Sequence, residues 1–313
     1  MPHPRFALVI GLVAFGLVRP GLSAQEVPFA EATSLFGGPL RRPPVADAAR
    51  ASMELQLAAA RAAWVRDPGD ADAIIWLGRR TAYLGRFREA IDIFTEGMGR
   101  HPHDARLYRH RGHRFLTIRE IDRAIADLRH ADELSRGRPD QVEPDGQPNA
   151  RNIPTSSLRS NILYHLALAQ YLKGDFAAAA STWHKARSVL DNPDHLVATS
   201  HWLYLSLRRS GQDAAAHAVL TPIRSDLDVI ENGSYHALLL MYKGERAIDA
   251  VLAAAGAGSS GSAVRYGVGA WHLVNGRMDD AHRVWQAMID APDWPSFGHL
   301  AAEAELAPTP GRR

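Results

Sequence analysis

The sequence predicts an all-α fold, a solenoid of stacked antiparallel helix pairs. Three observations predict it. Gly78 and Gly112, Ala90 and Ala124, and Pro68 and Pro102 are each 34 residues apart, so independent positions agree on one period. A second pattern recurs within that period: a Gly, four residues, an Ala, three residues, then a bulky apolar residue. Leu163, Leu166 and Gln170, with Ile162 and Ala169, add a stripe of period about 3.6, the mark of an amphipathic helix.

The recurring pattern appears as Gly85/Ala90/Phe94, Gly174/Ala179/Trp183, Gly211/Ala216/Leu220 and Gly276/Ala281/Trp285. Arg119/Ala124/Leu128 keeps the spacing without the Gly, and Gly244/Ala247/Val251 is a shortened form. The Gly ends one helix, where a left-handed residue carries no Cβ penalty. The Ala lets the next helix approach closely, and the bulky residue one turn on fills the space between them. One such pair cannot bury its apolar face alone, so neighbours must stack.

These residues resemble the tetratricopeptide repeat family, in an exported bacterial form. Residues 71–102 carry Leu77-Gly78, Gly85, Ala90, Phe94 and Pro102 in the family's places, and residues 105–135 carry Tyr108, Gly112, Phe115, Ala124, Leu128 and Ala131. Ile74 or Leu163 stands where the family usually has a Trp, and Arg111 replaces an expected Leu. The resemblance implies a right-handed α-solenoid. The expected order is a signal peptide (1–24), an extended N-terminal arm (25–44), and a half-repeat with two repeats (45–135). A Pro-rich insertion loop (136–156), about four further repeats (157–290), and a C-terminal capping helix with a tail (291–313) follow. The insertion holds Pro139, Pro144, Pro148 and Pro154, which rule out a helix throughout. It could fold over the concave surface.

Residues 1–24 carry Arg5, an uncharged apolar run from Phe6 to Val18, and a small-residue end at Ala24. That is the pattern of a cleavable secretory signal. A periplasmic or secreted chain is expected, without a membrane span after cleavage. Cys is absent, so disulfides, thiolate metal sites, Cys nucleophiles and a lipidated anchor are excluded. The net charge of +2 gives no case for nucleic acid.

The family register implies a concave groove lined by the first helix of each pair. Arg79, Tyr83, Arg106, Arg109, His113, Tyr164, His201 and Arg208 are the candidate lining residues. Arginine forks suit carboxylates, so a basic groove for an acidic segment or a C-terminal carboxylate is expected. The alternative is a structural array whose groove is filled by its own insertion. His110 and His113 could share a helix face and form a metal edge, but two His do not close a site and Arg neighbours repel a cation. No catalytic motif and no cofactor fingerprint stands in the sequence. The expected function is therefore a protein- or peptide-binding adaptor or scaffold of the envelope, acting by recognition and not as an enzyme. A metal-binding protein or an enzyme of unlocated site is the remaining class.

Overall fold

A computed structural model describes residues 30–308. The expected signal peptide (1–24), residues 25–29 of the expected arm and the last five residues of the tail lie outside them. The chain begins with strands β1 (Ala30–Thr33) and β2 (Pro39–Arg41). Helix α1 (Asp47–Arg66) precedes the pairs and packs on the helix that follows it. Then come pairs: α2 (Ala71–Tyr83) with α3 (Phe87–Arg100), α4 (Ala105–Thr117) with α5 (Ile121–Ser135), and α6 (Leu158–Leu172) with α7 (Phe176–Arg187). The pairs α8 (Pro193–Arg209) with α9 (Asp213–Val219), α10 (Gly233–Tyr242) with α11 (Ile248–Ala253), and α12 (Gly258–Val274) with α13 (Met278–Ile289) follow. Helix α14 (Phe297–Leu306) ends the array. The fold is an α-solenoid of stacked helix pairs.

The periodic residues act as their chemistry requires. Ala90, Ala124, Ala179, Ala216 and Ala281 are fully buried, as are Phe94, Leu128, Trp183 and Trp285 one turn later. Gly78 faces the Phe94 ring, which a Cβ there would overlap, and in the next pair Gly112 of α4 faces Leu128 of α5 in the same way. Helix starts are capped by side chains: Asp70 accepts from Asp72 N and Ala73 N, and Ser157 and Ser160 form a reciprocal capping box.

The turn within each pair is left-handed. Gly85 has φ 74° and Gly174 has φ 82°. The second pair makes the same turn with Arg119 at φ 71°, where an L side chain costs about 1–2 kcal/mol. The hydrogen bonds match too: Arg119 N donates to Leu116 O and Glu120 N to Phe115 O, as Gly174 N donates to Tyr171 O and Asp175 N to Gln170 O. Arg119 therefore holds a glycine's place, and its side chain supplies the reason. Its guanidinium donates to Glu303 Oε2 in α14 and to Trp294 O, with side-chain exposures of 2% and 1% for Arg119 and Glu303.

The contacts around Glu303 alter one expectation and extend another. The described part of the N-terminal arm is not extended; it is an antiparallel hairpin with Ala32 opposite Leu40. Its buried Glu31 accepts from Phe87 N at 3.0 Å and Arg88 N at 3.3 Å, at the start of α3. Arg86, the residue before that helix, offers no cap, so Glu31 caps it from 56 positions away in sequence. Leu35 N donates to Glu303 Oε1, and Trp294 Nε1 donates to Arg41 O at 2.7 Å. Helix α14 likewise does more than cap the end. It packs on α12 and α13, and also reaches back to α4 and α6: the Phe297 ring lies 5.2 Å from His113 and 5.5 Å from His165. One carboxylate, Glu303, thus joins the hairpin, the α4–α5 turn and the last helix. Those contacts span 268 and 184 positions in sequence, a distance no local pattern encodes.

Candidate functional site

The inner face is divided. Over α6, α8 and α12 it is closed core. Tyr171, Trp202 and Tyr266 are fully buried and pack ring against ring, with Trp202 to Tyr266 at 5.4 Å between centroids. Two predicted groove residues lie in this region. Tyr164 bonds Tyr235 Oη at 3.0 Å and accepts from Trp202 Nε1 at 3.0 Å. His201 is 0% exposed, stacks on Tyr235 and Tyr242, and is held neutral by burial, which pushes its pKa down to about 3. Arg208 is committed at the edge, to Asp213 at 2.8 Å, Tyr204 Oη at 2.9 Å and Val274 O. These three do not form a groove surface. The first helices pack on each other here because their inward residues are large and aromatic.

The other predicted residues gather between α2 and α4. Arg106 sits at the rim, tied to Asp104 and Asp72 at 2.6 and 2.5 Å, and the Asp104 hydrogen bond raises its pKa further. Arg79 stacks on Trp76 at 4.3 Å and donates to Tyr83 Oη at 3.4 Å. Arg109 is 7% exposed and pairs with Glu143 of the insertion at 3.0 Å. His113 packs against His165 at 4.4 Å. These side chains converge because α2 and α4 are equivalent helices one 34-residue unit apart, as Arg106 and Asp72 are.

Three members of the cluster were not among the predicted residues. Arg114 lies on α4, with the Phe87 ring 5.8 Å away. Burial, with the charges of Arg109 and Arg79, pulls its pKa down to about 10. Glu143 is buried and also accepts from Asn161 Nδ2 at 3.2 Å. Gly146 presents its carbonyl to Arg80 at 2.8 Å and lies against Tyr83. The run of Arg between Arg106 and Arg114 was a usable signal for Arg114. Nothing local marked Glu143 among the acidic residues of the insertion.

His110 and His113 do not present a free metal edge. Arg109 Nη1 lies 3.0 Å from His110 Nδ1 and 3.5 Å from His113 Nδ1, so a cation already occupies that position. Burial first, then the neighbouring arginines, hold His110, His113 and His165 well below the usual imidazole pKa. No group of three or more His, Asp or Glu able to hold a metal occurs among the described residues.

Two adjoining cavities result. The inner one, about 100 Å³, is lined by Arg79, Tyr83, Phe94, Arg109, Arg114 and Glu143, among others. The outer one, about 270 Å³, shares Arg79, Tyr83, Arg109 and Glu143 and adds Ser156, Asn161 and insertion residues 144–147. The insertion thus roofs this end of the inner face. It is held there by Asp140, which accepts from Ser157 Oγ at 2.6 Å, and by Arg151 paired with Asp228 at 2.7 Å.

No family model matches the chain, and no curated protein matches it. Among solved structures, it is similar to a chain in a structure of Naa15/Naa10 bound to HypK-THB, at 18% identity and a TM-score of 0.35. The match covers 80% of this chain, which spans only 36% of that chain's length.

Proposed function

We propose that the chain is an exported helical-repeat adaptor that binds an acidic protein segment at the α2/α4 end of its inner face. The observation that carries this is the cavity itself. Arg79, Arg109 and Arg114 line it with one carboxylate, Glu143, among them. The work is recognition: paired helices hold a fixed surface, and arginine forks select carboxylates. The remainder of the expected groove is excluded from binding, because α14 and the aromatic core fill it. Export rests on the leader pattern of residues 1–24.

The second reading makes the insertion a permanent plug. The Arg109–Glu143 pair and the Arg80 bond to Gly146 O favour it. Crosslinked capture from envelope extract separates the two. The adaptor reading expects a partner that is retained by the wild-type chain, lost with Arg79→Glu and enriched with Glu143→Gln. Equal capture by all three chains rejects it. The plug reading expects no gain in capture with Glu143→Gln and a loss of stability instead. Terminal sequencing of the fractionated chain tests export: a cytoplasmic chain that still begins at Met1 rejects it.

A further inference from the structure

The inner cavity is out of balance in charge. Elsewhere in the fold, four buried or half-buried guanidinium groups find carboxylates: Arg119 on Glu303, Arg209 on Glu305, Arg111 on Asp127 and Arg208 on Asp213. Around the cavity, three guanidinium groups face Glu143, which pairs with Arg109, and Asp145 of the adjoining cavity acts on Arg79 without forming an ion pair. Among the described residues, Arg79 and Arg114 make no ion pair with any carboxylate. Arg109 spends one terminal nitrogen on Glu143, while its Nε is buried with no hydrogen-bond partner. Burial holds the three nearby His rings toward their neutral form, so they add no further positive charge. Burying a cation without a counter-charge opposes folding, so such a cluster points to a ligand rather than to packing.

We propose that the inner cavity is a carboxylate subsite, in which a carboxylate of the ligand sits beside Glu143 and is held by Arg79 and Arg114. The inference rests on reading the α2/α4 end as the binding face, and names what that face recognises. Glu143 identifies the chemistry: a planar carboxylate already fits against Arg109. It also acts as a built-in competitor, because its negative charge opposes the incoming one. About 100 Å³ has room for one head group and not for a folded segment. The outer cavity, with Ser156 and Asn161 at its wall, carries whatever the head group is attached to. The carboxylate has two possible sources, an acidic side chain of a peptide and a free dicarboxylic acid.

Calorimetric titration of the full chain with succinate, and separately with an end-capped tetraglutamate peptide, tests the subsite at low salt. At least one probe is expected to bind. Arg79→Gln should weaken it about tenfold or more, the value of a charge-assisted hydrogen bond. Arg114→Gln should weaken it comparably, with circular dichroism to confirm folding. Glu143→Gln should tighten it. Succinate binding marks a free acid as sufficient, and binding of the peptide alone marks a side chain; both support the subsite. The subsite is overturned if neither probe binds the wild type or Glu143→Gln, or if binding ignores Arg79→Gln. If capture of a protein partner fails while succinate binds, the adaptor reading falls and the subsite stands.

Discussion

The α2/α4 end and the α6/α8/α12 end of the inner face put first helices of the same repeat to opposite purposes. At the first, those helices carry Arg79, Arg109 and Arg114 around an open cavity. At the second, they carry Tyr171, Trp202 and Tyr266, which fill the space with rings; Tyr266 donates to Tyr171 Oη at 2.8 Å. The side chains that neighbouring first helices turn towards each other decide whether the result is a cavity or a core. Arginine is equally instructive in two settings. Arg119 is fully paired and joins distant segments, whereas Arg79 and Arg114 make no ion pair among the described residues.

The largest expected effect comes from breaking the paired site. Glu303→Ala leaves Arg119 buried without its carboxylate and removes the acceptor of Leu35 N. A loss of about 3–5 kcal/mol is expected in urea unfolding. A loss below about 1 kcal/mol would mean that hairpin, α4–α5 turn and α14 are held by other contacts. Trp202→Ala should cost a similar amount, about 3–5 kcal/mol, through the cavity it leaves. It should nevertheless leave succinate affinity unchanged in the folded chain. A parallel loss of affinity would show the two ends to be one coupled unit.

Acid should weaken the aromatic end next. His201 has its folded pKa pushed down to about 3, against 6.5 unfolded. Between those values the unfolded chain binds more protons, so stability rises with pH and falls as pH drops below 6.5. At pH 5 this one residue accounts for about 2 kcal/mol of lost stability. His201→Gln should flatten the dependence of urea midpoint on pH between 7 and 5. An unchanged slope would place the titration elsewhere, with His110, His113 and His165, which share its direction, as the next groups to replace.

The sequence made the helical framework legible and concealed its closure. The 34-residue spacing, Ala90 and Ala124, and the Phe94 and Leu128 positions act within one pair or between adjacent pairs, so a local pattern encodes them. Arg79, Tyr83, Arg109 and His113 were identifiable from the same spacing on successive first helices, Arg79 and His113 being 34 residues apart. Tyr164, His201 and Arg208 were assigned to the groove by the same register. They are committed to the aromatic core and its edge instead, because register carries no information about curvature or about what packs across the array. The Glu31 cap of α3 and the Glu303 junction are contacts between distant segments. One sign of the junction was nevertheless visible: Arg119 breaks a glycine pattern kept by its counterparts, and that substitution has a cost only a specific contact offsets.

Gly78→Ala sharpens how closely the open end is packed. A Cβ there would overlap the Phe94 ring beside the cavity, and overpacking of this kind costs about 1–3 kcal/mol. Phe94 also lines the cavity and stacks on His110 at 5.6 Å, so the substitution should alter succinate affinity as well as stability. A neutral effect on both would show that Phe94 moves freely and that the cavity wall is not fixed by the repeat packing.

The smallest stability effect is expected at the residue with the largest expected role in binding. Arg79→Gln gives up the guanidinium stacked on Trp76, a contact worth about 0.5–1 kcal/mol at such a site. It also relieves repulsion, since the charge of Arg79 acts against Arg109 and Arg114. The two effects oppose, and the net change should lie within about 0.5 kcal/mol. Thermal unfolding of the unliganded chain measures it. Near-neutral stability with weakened succinate binding separates Arg79 from Arg119, whose side chain is held entirely by the fold. A loss of about 2 kcal/mol or more would instead make Arg79 a structural residue, and the two ends of the inner face would differ in shape but not in purpose.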